Sequence, residues 1–79
     1  MKVQVLFFGA TADAVGNREI EIDLADRTRA DGAFRRIVGD FPQLERHSLL
    51  FAVNQEYAKG DEVIREGDEL AVFTHVSGG

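Results

Sequence analysis

Between residues 18 and 41 the apolar pattern changes period, and that change restricts the fold more than any other feature of the chain. Arg18-Glu19-Ile20-Glu21-Ile22-Asp23-Leu24 alternates, with Ile20, Ile22 and Leu24 on one side and Glu19, Glu21 and Asp23 on the other. Such a pattern belongs to a half-buried antiparallel strand. Ala30, Ala33, Phe34, Ile37, Val38 and Phe41 then recur at helical spacing and make one apolar stripe. Thr28 is placed to act as the helix N-cap, and Asp31 in the first turn suits the positive end of the dipole. Gly32 weakens this helix by about 1 kcal/mol relative to Ala, and Phe41-Pro42 closes it.

The remaining segments supply more strands. Val3-Gln4-Val5-Leu6-Phe7-Phe8 is rich in β-formers and ends at Gly9. Both of its faces carry apolar side chains, so the strand is central or covered twice. Ala10 to Asn17 connects it to the alternating strand, with one helical turn through Ala12 to Val15. Leu49 to Val53 is a third strand; Asn54-Gln55-Glu56 turns into a short strand at Tyr57-Ala58. Gly60 and Gly67-Asp68 mark turns around Val63 and Ile64, which read as buried plugs, and Glu69 to Thr74 is the last strand. A hairpin, a helix and further strands give an α+β domain with a mixed sheet and one main helix on one face. This order is that of the β-grasp, or ubiquitin-like, fold. It sets the last strand beside the first, with residues 1–75 as the domain and 76–79 as a flexible tail.

Composition removes several classes of function. At 79 residues the chain makes one domain with no room for a deep internal cavity. Fourteen Asp plus Glu against nine Lys plus Arg give a formal charge of −5. The cations are scattered apart from Arg35-Arg36, which read as a solvated helix face, so nucleic acid is a poor partner. There is no cysteine, which excludes a thiol nucleophile of the chain's own and Cys-ligated zinc and suits a reducing cytoplasm. His47 and His75 are too far apart in sequence to suggest a metal site, and no carboxylate pair reads as acid and base. No segment approaches the ~20 apolar residues of a membrane span.

Chemistry is therefore expected at the end of the chain. Val76-Ser77-Gly78-Gly79 closes the sequence; at ordinary glycine usage two terminal glycines arise by chance about 0.5% of the time. Without Cβ atoms, Gly78 and Gly79 pass through a channel too narrow for side chains. Four extended residues reach roughly 13 Å, enough to carry the Gly79 carboxylate into a partner's active site. A carboxylate is a weak electrophile until activated. Adenylation by ATP makes it a mixed anhydride, which a sulfur donor converts to a thiocarboxylate. All catalytic groups for these steps must sit in partners.

Glu66-Gly67-Asp68-Glu69-Leu70-Ala71-Val72-Phe73 followed by Val76-Ser77-Gly78-Gly79 resembles the end of the small subunit of molybdopterin synthase. Val5-Leu6-Phe7-Phe8 and Ala52-Val53-Asn54-Gln55 are similar to it too. The resemblance spans most of the chain. It implies a β-grasp fold, activation by an adenylyltransferase, and a Gly79 thiocarboxylate that feeds sulfur to the large synthase subunit in a heterotetramer. There the sulfur enters the dithiolene of molybdopterin, built from a cyclic pyranopterin phosphate during molybdenum cofactor biosynthesis. No cofactor is bound by the chain itself. Thr74-His75 stands where the family usually has Pro-Pro, and the first connection lacks the family's usual Arg. Rival readings are a sulfur carrier for thiamine or tRNA thiolation, a ubiquitin-like modifier, and a β-grasp binding module with incidental glycines.

A helix covers only one face of a sheet. Phe8 and Phe73 fall out of phase with the core residues of two strands that should be neighbours, and Tyr57 joins them. An exposed aromatic patch beside the tail reads as a docking surface, and these positions look like the family's partner contacts; the alternative is that they are ordinary core residues in another phase. His75, next to the tail, is a candidate to meet an acidic group of the partner, a solvated histidine being the simpler reading. Lys59, near the expected tail exit, is a candidate for an ion pair with the large subunit.

Overall fold

Alternation along the first strand decides what the sheet buries. In the computed structural model, which describes residues 1–75, Lys2–Phe7 forms β1 with Val3, Val5 and Phe7 buried, while Lys2 and Gln4 face water. Next come α1 (Ala10–Val15), β2 (Glu19–Asp23), α2 (Ala30–Asp40), a 3₁₀ turn at Pro42–Arg46, β3 (Leu49–Val53), β4 (Glu56–Tyr57) and β5 (Glu69–Thr74). The five strands form one sheet in the order β2-β1-β5-β3-β4. β1 is antiparallel to β2 and parallel to β5, and β3 is antiparallel to both β5 and β4. The mixed β-grasp sheet with first and last strands adjacent is thus present as the sequence predicts.

The helical stripe lies on the inner face. Ala30, Ala33, Phe34 and Ile37 of α2 are buried with Val3, Val5, Phe7, Leu70 and Val72 of the sheet. Leu24, Leu44 and Ile64 join the same cluster from the connections. Phe34 lies against Phe51, ring centroids 4.3 Å apart, and Phe7 meets Phe41 edge-on at 5.8 Å. Full burial of each large aliphatic or aromatic side chain contributes about 1.5–3 kcal/mol, so this one layer pair supplies most of the driving force.

Four local expectations need correction. The N-cap of α2 is Arg29, not Thr28, and it makes no side-chain cap bond. The Thr28 hydroxyl donates instead to Ala25 O at 2.6 Å. Backbone carbonyls fill the role: Ala30 N–H donates to Glu62 O and Asp31 N–H to Gly60 O, so the orphan donors of the first turn are met by a distant loop. Val63 is exposed, because an isolated bridge to Arg29 turns it outward while Ile64 takes the buried place. The first connection is helical from Ala10 rather than Ala12. The short strand is Glu56–Tyr57: Val53 pairs with Glu56, leaving Asn54-Gln55 as a two-residue turn. Asn54 and Gln55 both have positive φ, 49° and 70°, the combination that two-residue hairpins use to match strand twist.

The loop that caps α2 has its own fastening. The Glu62 carboxylate accepts from Lys59 N–H at 2.7 Å and Gly60 N–H at 2.8 Å. The Lys59 N–H foremost, then its own N–H and that of Gly60, with the Lys59 charge adding, hold its carboxyl below the ordinary value of 4.5. A carboxylate depressed in the folded state stabilises above its unfolded pKa, and that contribution disappears as pH falls through the folded pKa. Glu62→Gln is therefore expected to be less stable than the parent at pH 7, with the gap closing below pH 4.5. Urea midpoints across pH 3–7 measure this; a gap independent of pH would contradict it.

Candidate functional site

The outward face of the sheet carries apolar side chains that α2 does not cover. Since inward positions on β1 and β5 are Val5, Phe7, Leu70 and Val72, the intervening Leu6, Ala71 and Phe73 must point the other way. Register brings these together: Leu6 is opposite Ala71, Ala71 opposite Ala52, Leu50 opposite Phe73, and Ala52 opposite Tyr57. Tyr57 and Phe73 lie with ring centroids 5.9 Å apart and planes tilted by 42°. Tyr57 is 71% exposed and Phe8 52%, high values for large apolar rings. Phe73 is half-buried.

Phe8, Gly9, Ala52, Ala71 and Phe73 line a shallow groove of about 410 Å³, with Gln55, Glu69 and Thr74 at its polar margin. Gly9 at its end has φ 55° and ψ −123°, a conformation that a side chain strongly disfavours. It lets the chain leave β1 sharply after Phe8, so the Phe8 ring stays on the outer face instead of following α1 into the core.

The proposed partner-contact residues are not all in one place. Phe8 and Phe73 share the groove, and Tyr57 extends it toward β4. His75 follows β5 directly and is exposed. Lys59 lies elsewhere. It lines a separate depression of about 430 Å³ with Asp31, Phe34, Arg35, Val38 and Phe51, on the side of the sheet where α2 packs. Val76, Ser77, Gly78 and Gly79 lie outside the described residues.

One residue that the sequence pattern did not single out is Thr11. It is fully buried. Its hydroxyl oxygen accepts from Phe8 N–H at 3.0 Å and lies 2.7 Å from Val72 O and 2.8 Å from Phe8 O, the carbonyls its proton can reach. The signal for it was weak: a Thr two residues after a strand-ending glycine, where hydroxyls often bond nearby backbone.

Among the described residues, no group of three or more His, Cys, Asp or Glu side chains is arranged to hold a metal ion. No helix of the described residues is long and apolar enough to cross a membrane. Among them no side chain stands out as acid, base or nucleophile; what the site offers is an apolar surface at the end of the strand that leads to the glycines.

The sequence profile of the ThiS family matches residues 5–79. The chain is 36% identical to the human molybdopterin synthase sulfur carrier subunit, over 99% of this chain and 94% of that one. It is 30% identical to the subunit of the same name from Chlamydomonas reinhardtii, over the full length of both. In three dimensions it is similar to the crystal structure of SAMP1 from Haloferax volcanii, with a TM-score of 0.88, 29% identity and full coverage of both chains.

Proposed function

This chain belongs to the ThiS family, and from that premise we propose that it is the sulfur carrier subunit of a molybdopterin synthase, with Gly79 as the carrying residue. The observation that carries the reading is an apolar groove at the end of β5, from which only His75 and Val76 to Ser77 separate the paired glycines. A carrier needs a handle and a reactive end at a fixed separation. The groove is the handle, and its occupant is the large synthase subunit, docking over Phe8, Ala71 and Phe73.

The Gly79 carboxylate attacks the α-phosphorus of ATP held by an adenylyltransferase; pyrophosphate leaves and an acyl-adenylate forms. Sulfide then adds at the acyl carbon and AMP departs, leaving the thiocarboxylate. At the synthase, that sulfur attacks a carbon of the cyclic pyranopterin phosphate that bears a phosphate oxygen, and the C–O bond breaks with the electron pair going to the phosphate. Water then cleaves the acyl–sulfur bond, which leaves the sulfur on the precursor and regenerates the Gly79 carboxylate. Both partners supply the catalytic groups.

Intact mass of the chain after incubation with ATP, an adenylyltransferase of the pathway and a sulfide donor tests this. The expected product is heavier by the difference between one sulfur and one oxygen, with the change mapped to Gly79. No gain in mass would refute the carrier reading.

The likeness to SAMP1, which is a small archaeal modifier protein, favours a second reading, that the same activated carboxyl is also joined to lysine side chains of other proteins. Isopeptide-linked Gly-Gly remnants ending in this sequence, found by mass spectrometry of whole-cell digests, would establish it.

A further inference from the structure

The parallel pairing of β1 with β5 ends at Phe7 opposite Val72, whereas the antiparallel pairing of β3 with β5 continues to Phe73 and Thr74. From Phe73 onward, β5 is thus paired on one side only. At that boundary Val72 O receives a long bond of 3.3 Å from Phe8 N–H, while the Thr11 hydroxyl lies at 2.7 Å in a fully buried position. The hydroxyl has a single proton and two carbonyls within reach, Val72 O at 2.7 Å and Phe8 O at 2.8 Å.

We infer that Thr11 is a positioning residue: its hydroxyl donates to Val72 O and fixes the direction in which β5 ends at Thr74 and His75. Three features support this. The Thr11 oxygen also accepts from Phe8 N–H at 3.0 Å, so it joins the ends of β1 and β5 through one atom. The Phe8 backbone it holds belongs to the docking groove, which couples the groove to the strand end. Thr11 N–H donates to Phe8 O at 3.2 Å, giving that carbonyl a donor of its own and leaving the hydroxyl proton for Val72. The hydroxyl thus sets the angle between the groove and the end of β5.

This inference rests on the carrier reading above. A positioned acyl group is sensitive to small displacements, since about 1 Å of misplacement can cost on the order of 100-fold in rate. Thr11→Val keeps the shape and removes the bond. It is expected to remain folded and to bind the large subunit within about threefold of the parent. Its sulfur-loading and sulfur-transfer rates at saturating partner are expected to fall about 10- to 100-fold. Thr11→Ser keeps the hydroxyl and is expected to recover most of both rates. Unchanged rates in Thr11→Val, a loss seen only in binding, or no recovery in Thr11→Ser would each overturn the assignment.

A measurement on the unmodified chain stands apart from folding of the variants. In NMR spectra the Thr11 hydroxyl proton is expected to exchange slowly and to couple across the hydrogen bond to the Val72 carbonyl carbon. Fast exchange, or coupling to Phe8 instead, would overturn the proposal. If the parent chain accepts no sulfur at all, the carrier reading fails, while the NMR result still decides where the hydroxyl points.

Discussion

Phe73→Asp is expected to raise the dissociation constant for the large synthase subunit by at least about 100-fold while leaving the domain folded. Phe73 sits in the middle of the outward apolar face, opposite Leu50, in the groove with Phe8 and beside the Tyr57 ring. Central aromatic residues at interfaces commonly cost 2 kcal/mol or more when truncated, and each 1.4 kcal/mol is about tenfold in affinity. Aspartate adds a charge that loses its water when the partner closes over it, so its effect exceeds truncation.

The domain tolerates the change because the side chain is outside the core cluster of Val3, Val5, Phe7, Leu70 and Val72. Aspartate is a poor strand former, and the scale of that effect is about 1 kcal/mol. The thermal transition should therefore remain cooperative and shift down by several degrees only. Titration calorimetry with the large subunit, alongside a melting curve of the free variant, reads both quantities. Unaltered affinity would remove the groove from the docking surface; a chain that no longer melts cooperatively would place Phe73 in the core. Tyr57→Asp, at the exposed margin, is expected to follow the same direction with a smaller loss.

The two faces of this sheet differ in how plainly the sequence declares them. Ile20, Ile22 and Leu24 alternate with acids, so the inward face of β2 could be read directly. On β1 and β5 both parities are apolar, and the distinction came only from the phase of Val3, Val5 and Phe7 against Phe8. That sufficed to bring Phe8 and Phe73 together, because neighbouring parallel strands keep phase across the ladder. It says nothing about Lys59, whose loop has no period. There the direction of the side chain depends on Glu62 and on the first turn of α2. The same loop explains the misplaced cap: a hydroxyl at Thr28 is a local signal, whereas carbonyls from residues 60 and 62 are partners only after the chain has folded. Thr11 was hidden for a similar reason, its second strand being 61 residues away.

Deletion of Gly79 is expected to abolish sulfur loading, by at least about 1,000-fold, while leaving docking nearly intact. Removing one residue shortens the extended reach by roughly 3.3–3.6 Å, and displacement of a reacting atom by even ~1 Å can cost on the order of 100-fold. The groove of Phe8, Ala71 and Phe73 lies wholly in residues 1–75, so the shortened chain should still occupy the large subunit. It should then compete with the loaded parent chain and inhibit synthase turnover. Phe73→Asp should do the opposite: it should not inhibit, because it does not bind. Gly79→Ala keeps the length and adds one methyl beside the acyl carbon, so an intermediate loss is expected where the partner's channel admits only glycine. Intact mass after loading, and inhibition of turnover by each unloaded variant, separate the cases. Full loading of the shortened chain, or full turnover supported by it, would show that the reactive group is not the Gly79 carboxylate. Inhibition by the deletion and none by the aspartate variant would place docking and chemistry in separate parts of one small chain, joined where β5 ends.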